Sequence, residues 1–300
     1  MGVSIVEVSP RDGLQNEAAI VPAADKLALI GALAASGVRR IEAVSFVNPK
    51  RVPQMADAEE VAAGLPRGHV SWIGLVLNER GLDRAIAAGM DEVNVVVVAT
   101  DTFSRRNQAV DTDAAIGAWS RIAGRARESG LRTTVTIGAA FGCPFEGEVP
   151  LDRLRSVVAR CADAGPDELA LADTIGVGVP AQVRALAAVA ATKAPGVPLR
   201  WHFHNTRNSG YANALVAAEL TGEDPVALDS SAGGIGGCPF APNATGNIAT
   251  EDLVYLLGRS GFDVGVDVGP LLPLGERLGG LLGHEVPGQL ARAGVFPAGR

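Results

Sequence analysis

His202 and His204 are half of the chain's histidines and sit two residues apart in LRWHFHN, a run read as a strand. Alternation along a strand turns both imidazoles to one face and Trp201 and Phe203 to the other. Two imidazoles on one face can begin a divalent metal site, or they can be a hydrogen-bonded pair lining a sheet. Arg11 and Asp12 follow the first β-branched run, VSIVEV. A fixed guanidinium there can stabilise a developing enolate or thioester oxygen, or it can be an ordinary salt-bridged arginine. Glu42 lies inside the run IEAVSF, where a carboxylate is costly unless paired. Its partner can be a metal, a water, Arg11 or a plain structural cation. Cys143 and Cys238 share the tetrapeptide GCPF in two glycine- and proline-rich loops, whereas Cys161 falls in an alanine-rich helical pattern and reads as core packing.

The elements that must position these groups follow one recurring signature: a helical stretch ends in glycine, and a β-branched run begins a few residues later. Gly37, Gly64, Gly89, Gly130, Gly165, Gly196 and Gly222 mark such junctions, before IEAVSF, VSWIGLVL, VNVVVV, TTVTIG, ELALAD, LRWHFH and VALDSS. Glycine suits the left-handed position at a helix C-terminus. With the opening strand this predicts eight strands spaced as strand–helix units, which require parallel pairing. Eight units point to a closed (β/α)8 TIM barrel with sites on the loops after each strand. The reading is one catalytic domain over residues 1–300, with the barrel over about 1–260 and helical decoration over about 261–300.

Closure brings the first strand beside the seventh and eighth, so Asp12 approaches the histidine pair. A carboxylate, two imidazoles and an amide oxygen, which Asn247 can supply, suit Mg2+ or Mn2+ better than zinc. The 300-residue chain is 47% hydrophobic, with net charge −7 and no Lys/Arg cluster longer than a pair. That argues against nucleic acid or an anionic membrane surface as partner. No apolar run is long enough to span a bilayer, and no basic, apolar leader opens the sequence. A cytoplasmic protein acting on a small molecule is expected. Three cysteines without CxxC spacing indicate neither a disulfide framework nor a thiolate zinc site.

The motifs VEVSPRDGLQNE, SFVNPKRVPQMAD, GCPFEG, ADTIGVG, HFHN and GGIGGCPFAPNATGNIATEDLVYLL occur in this order over roughly residues 3–260. Together they resemble the 3-hydroxy-3-methylglutaryl-CoA lyase family. The resemblance implies a divalent cation, Mg2+ or Mn2+, on Asp12, His202, His204 and Asn247. It places Arg11 and Glu42 in the active site and makes Cys238 the catalytic cysteine. It further implies an acyl-CoA partner contacted by Arg11, Gln15, Ser45, Asp173 and Arg207, and a homodimer or higher homo-oligomer. The implied reaction is retro-Claisen cleavage to acetyl-CoA and acetoacetate. His202 or Asp12 would take the hydroxyl proton, Arg11 would stabilise the enolate, and the Cys238 thiol would protonate it. The GGIGG run before Cys238 is expected to supply hinge-like freedom for loop closure.

Several positions depart from the family pattern. The family usually reads HxHDT where this chain has HFHNT, so Asn205 replaces an acid. Arg207 stands where an aromatic is usual, and Ala170 and Ala172 where serine and glycine are. These positions line the region that selects substrate, which makes a sister lyase for citramalyl-CoA the alternative. A Claisen-type synthase or a non-catalytic metal- or CoA-binding barrel are the lesser ones.

Overall fold

The computed structural model describes residues 2–220, 226–237 and 246–296. Among them eight parallel strands close into a barrel in sequence order: β1 (Val3–Glu7), β2 (Arg40–Ser45), β3 (Ser71–Val76), β4 (Glu92–Val98), β5 (Arg132–Gly138), β6 (Glu168–Asp173), β7 (Leu199–Phe203) and β8 (Val226–Ser230). Closure rests on the β1–β8 ladder, which runs in register from Val3 against Val226 to Glu7 against Ser230. The TIM-barrel expectation holds, and each predicted strand appears where its glycine junction placed it. Gly37, Gly89, Gly130, Gly165 and Gly196 take positive φ, as helix-ending glycines do. Gly64 instead ends its helix without a left-handed turn. Gly222 lies outside the described residues.

The connecting helices are α1 (Ala23–Ala35), α2 (Ala58–Gly64), α3 (Glu79–Ala87), α4 (Asp101–Gln108), α5 (Thr112–Glu128), α6 (Leu151–Ala162), α7 (Pro180–Lys193), α8 (Gly210–Glu219) and α9 (Thr250–Arg259). Asp111 sets the start of α5 by accepting from Ala114 N–H at 2.9 Å. The main apolar core lies between strands and helices and includes the wholly buried Trp119, Leu228 and Leu253. Trp201 and Phe203 point into this layer, stacked on one another with Phe141 alongside. That outward placement is the alternation expected for β7.

The inside of the barrel is largely ionic, where aliphatic layers are usual. Arg40 joins Glu92 at 2.6 Å and Glu168 at 2.8 Å, and Arg132 reaches Glu168 at 3.2 Å. The next step up the axis holds Glu42, Asn94, Arg200 and Asp229, all buried. Val6, Val8, Ile73 and Ala227 form a small separate apolar cluster. Charges this deep persist only when each is paired, and here the pairing is dense.

Beyond α9, the chain forms α10 (Leu272–Leu282) and the short α11 (Leu290–Ala293). Asp252 of α9 ties this segment down by accepting from Leu290 N–H at 2.7 Å and Gln289 N–H at 2.9 Å. Gly288 N–H donates to Gly233 O at 2.9 Å, so the segment covers the root of the loop after β8. No helix among the described residues is long and apolar enough to cross a membrane.

Candidate active site

Asp12 reaches the barrel mouth from a π-type turn, Ser9–Gly13, that continues directly from β1. Gly13 N–H closes the turn on Val8 O at 3.1 Å. Asn247 arrives from the other side, because residues 246–249 run back along the ends of β7 and β8. Asn205 N–H donates to Gly246 O, Ile248 N–H to Phe203 O and Ser231 N–H to Ile248 O, which sets Asn247 opposite His204. The result is one polar cluster. Asn247 Nδ2 donates to Asp12 Oδ2 at 2.9 Å, and that oxygen lies 3.9 Å from His202 Nε2. His202 Nε2 and His204 Nε2 face each other at 3.1 Å.

These residues fit a divalent cation. Ligand atoms of Asp12, His202 and His204 all lie within 4.8 Å of one another. Asn247 Oδ1 is buried without a hydrogen-bond partner among the described residues, an arrangement that costs free energy unless something else accepts its lone pairs. A carboxylate oxygen, an amide oxygen and two imidazole nitrogens form the mixed O/N set that Mg2+ or Mn2+ accepts. The metal reading of the histidine pair is therefore the one with structural support.

Glycine makes this approach possible. Gly236 has φ of 108°, and a Cβ there would stand 2.6 Å from Asn247 Nδ2 and 3.0 Å from Gly13 Cα. Within the GGIGG run, expected to give the loop hinge-like freedom, Gly233, Gly234 and Gly236 take positive φ, and Gly236 packs closely against the turn after β1.

Charge around the cluster is balanced locally. Burial raises the Asp12 carboxyl, but Arg11 and then His202 more than offset it and leave it at about 2. Arg11 is itself buried, donating Nη1 to Asp12 Oδ1 at 2.6 Å and pairing with Glu42 through Nε and Nη2. Burial would lower the His202 imidazole, yet the Asp229 carboxylate, 3.0 Å from Nδ1, holds it above its ordinary value. Burial raises Asp229 in turn, and the Arg200 guanidinium overrides this and holds it low.

The remaining expected residues fall in different settings. Ser45, at the end of β2, is wholly buried, and its hydroxyl has no partner among the described residues. Gln15 is half-buried just beyond the turn that carries Asp12. Asp173 spends both carboxylate oxygens closing its own loop, accepting from Val177 N–H at 2.9 Å and Gly178 N–H at 2.8 Å. Arg207 is exposed and donates Nη1 to Ile175 O and Gly176 O, clamping the loop after β6 to that after β7. Cys161 is buried in α6, its thiol pushed up to about 12 by burial, which fits the core role read from sequence. Cys238 lies outside the described residues.

Sequence reasoning missed Asp229, Arg200 and Asn94. Asp229 orients His202. Asn94 Nδ2 donates to Glu42 Oε2 at 3.0 Å and is itself oriented by Thr136 Oγ1 at 2.8 Å. The signal was present: an acid inside VALDS is as costly unpaired as Glu42 in IEAVS, and RWHFH extends the histidine alternation by one inward step.

A cavity of about 820 Å³ lies within the C-terminal segment between α10 and α11 and includes none of these residues. A second of about 470 Å³ separates Asn16 and Glu17 from Gly234–Gly237 and the His284–Pro287 stretch, beside the cluster.

The HMGL-like family model matches residues 2–277. This chain belongs to the HMGL-like family. Among its curated relatives is an (R)-citramalyl-CoA lyase of Chloroflexus aurantiacus, 44% identical over 98% of this chain and 96% of the relative. A hydroxymethylglutaryl-CoA lyase of Pseudomonas mevalonii is 39% identical over 99% of this chain and 97% of its own. Among solved structures, an HMG-CoA lyase from Acinetobacter baumannii in complex with coenzyme A and 3-methylmalate superposes with a TM-score of 0.93. It is 38% identical and covers all of this chain and 97% of its own. The lyase-family resemblance read from the motifs is thus established along nearly the whole HMGL-like chain.

Proposed function

We propose that this HMGL-like protein is a divalent-metal-dependent carbon–carbon lyase that cleaves 3-hydroxy-3-methylglutaryl-CoA to acetyl-CoA and acetoacetate. The observation that carries the reading is the convergence of Asp12, His202 and His204 with the unpartnered Asn247 Oδ1, beside a buried Arg11. A cation held by these four residues supplies Lewis acidity, which brings deprotonation of a tertiary alcohol within reach near neutral pH. His202 and Asp12 are the two candidate bases for the hydroxyl proton. Because Asp229 occupies His202 Nδ1 and the cation would take Nε2, the carboxylate of Asp12, which keeps free lone pairs, is the one that accepts it. The carbon–carbon pair then passes into the thioester enolate as the hydroxyl carbon becomes a carbonyl. Arg11, fixed between Glu42 and Asp12, presents a preorganised cation for the enolate oxygen. The Cys238 thiol delivers a proton to the enolate carbon and regains one from solvent.

The relative that acts on (R)-citramalyl-CoA supports a second reading, in which the acid portion is one methylene shorter and the released oxo acid is pyruvate. One methylene in a pocket is worth about 1–3 kcal/mol, roughly 10- to 200-fold. A panel of 3-hydroxyacyl-CoAs with Mg2+, followed by mass spectrometry of acetyl-CoA and the oxo acid, separates the two. The expected result is acetoacetate release with at least about tenfold preference. A preference for citramalyl-CoA replaces the substrate, and no acetyl-CoA from any member sinks the lyase reading.

A further inference from the structure

We infer that Arg200 is a positioning residue that fixes both halves of the active site at once, the metal-binding imidazole and the enolate-stabilising guanidinium. Arg200 lies on β7 two residues before His202, on the same inward face, and is wholly buried, so it acts only through other side chains. Its Nε donates to Asp229 Oδ1, and the other oxygen of Asp229 lies 3.0 Å from His202 Nδ1. Its Nη2 donates to Glu42 Oε2 at 3.2 Å, and the other oxygen of Glu42 receives Arg11. Arg11 holds Asp12, and Asp12 faces His202 Nε2. Arg200, Asp229, His202, Asp12, Arg11 and Glu42 therefore form a closed ring of polar contacts beneath the cluster.

Asp229 and Glu42 each divide their two oxygens between Arg200 and a site residue, so displacing Arg200 frees Asp229 to rotate and leaves Glu42 Oε2 with Asn94 alone. The planar fork presents Nε and Nη2 to the two carboxylates at a fixed spacing, whereas an ammonium on a flexible stem is a single point charge. Partners of this kind fix ligand orientation, and their loss typically weakens metal binding about 10- to 100-fold. The inference rests on the metal reading above and extends it to a residue that reaches neither metal nor substrate.

The test compares Mn2+ affinity of the substrate-free protein, read by electron paramagnetic resonance, with steady-state kinetics. Arg200→Lys is expected to weaken Mn2+ about tenfold or more and to lower kcat by a similar factor, with KM for the acyl-CoA nearly unchanged. If that protein does not fold, Arg200→Gln combined with Asp229→Asn removes one buried charge with its partner, and the same weakening is expected. A folded variant with wild-type Mn2+ affinity and kcat overturns the inference, as does a lowered Tm with both unchanged. Absence of Mn2+ binding by the wild-type protein would show in the first titration and overturn the metal reading together with this one.

Discussion

Cys143 shares the tetrapeptide GCPF with Cys238, but its surroundings give the thiol a structural role. It is buried in the loop after β5, its Sγ accepting from Thr100 Oγ1 at 3.1 Å and Phe145 N–H at 3.4 Å. Its backbone pairs with Gly147 in both directions, at 2.8 and 2.9 Å, closing a tight turn. Cys238→Ser is expected to lower kcat by 100-fold or more, the usual scale for a lost proton donor, while Mn2+ affinity persists. Cys143→Ser should stay within about threefold of wild type, because a serine hydroxyl can accept the same two hydrogen bonds. Equal losses in the two variants would refute the assignment. Position in the barrel separates the two loops. The Cys238 copy lies between Gly236, packed on Asn247, and Asn247 itself, so it is tied to the Asp12–His202–His204 cluster in sequence at both ends.

The loop after β8 is the element on which the site depends most, and its glycines can be tested one at a time. Gly236→Ala adds a Cβ 2.6 Å from Asn247 Nδ2 at φ of 108°, so strain and displacement of the amide arrive together. Mn2+ affinity is expected to drop at least about tenfold, with a loss of stability on the order of 1–3 kcal/mol by chemical denaturation. Gly261→Ala, at φ of 89° with open space around it, carries the strain without the contact and should leave Mn2+ affinity unchanged. An equal effect on affinity in both would show that backbone strain alone is responsible. Elements of this kind divide into what sequence exposes and what it hides. Strand positions were readable because glycine chemistry at a helix end is local, and the orientation of His202 and His204 was readable because strand alternation is local too. The π-type turn at Ser9–Gly13 carries no comparable local mark. The ring through Arg200 depends on cross-strand register, which sets Arg200 against Ala227 and so brings Asp229, two residues further, beside His202. Glycine identity alone likewise does not reveal the close contact at Gly236, which depends on the neighbouring Asn247 and Gly13.

At the scale of the whole molecule, buried carboxyls pull stability in opposite directions with pH. Glu7 and Glu251 lie under the root of the β8 loop. Glu7 accepts from Ser9 N–H, Ala232 N–H and Thr250 Oγ1, and burial nevertheless raises its carboxyl. Glu251 accepts from Gly233 N–H at 3.1 Å, while its other oxygen has no partner among the described residues. Burial, with smaller contributions from Asp252 and Glu7, lifts Glu251 to about 7 from an ordinary 4.5. Between those values the folded protein keeps a proton that the unfolded chain has released, so this group makes stability fall as pH rises through the window. Its full effect, above pH 7, is a loss of about 3 kcal/mol relative to pH below 4.5. Asp12 works the other way and lower down: held at about 2, it contributes stability above its ordinary 3.8 that is lost as pH falls toward 2, outside the Glu251 window. Glu251→Gln retains an amide oxygen for Gly233 N–H and cannot ionise. Urea denaturation at pH 5, 6, 7 and 8 is therefore expected to show the variant gaining on wild type as pH rises, the difference in unfolding free energy shifting by about 3 kcal/mol across the full window. Parallel stability curves for the two proteins would mean that Glu251 is ionised when folded throughout this range, with its charge matched by a partner that the buried geometry around Gly233 does not provide.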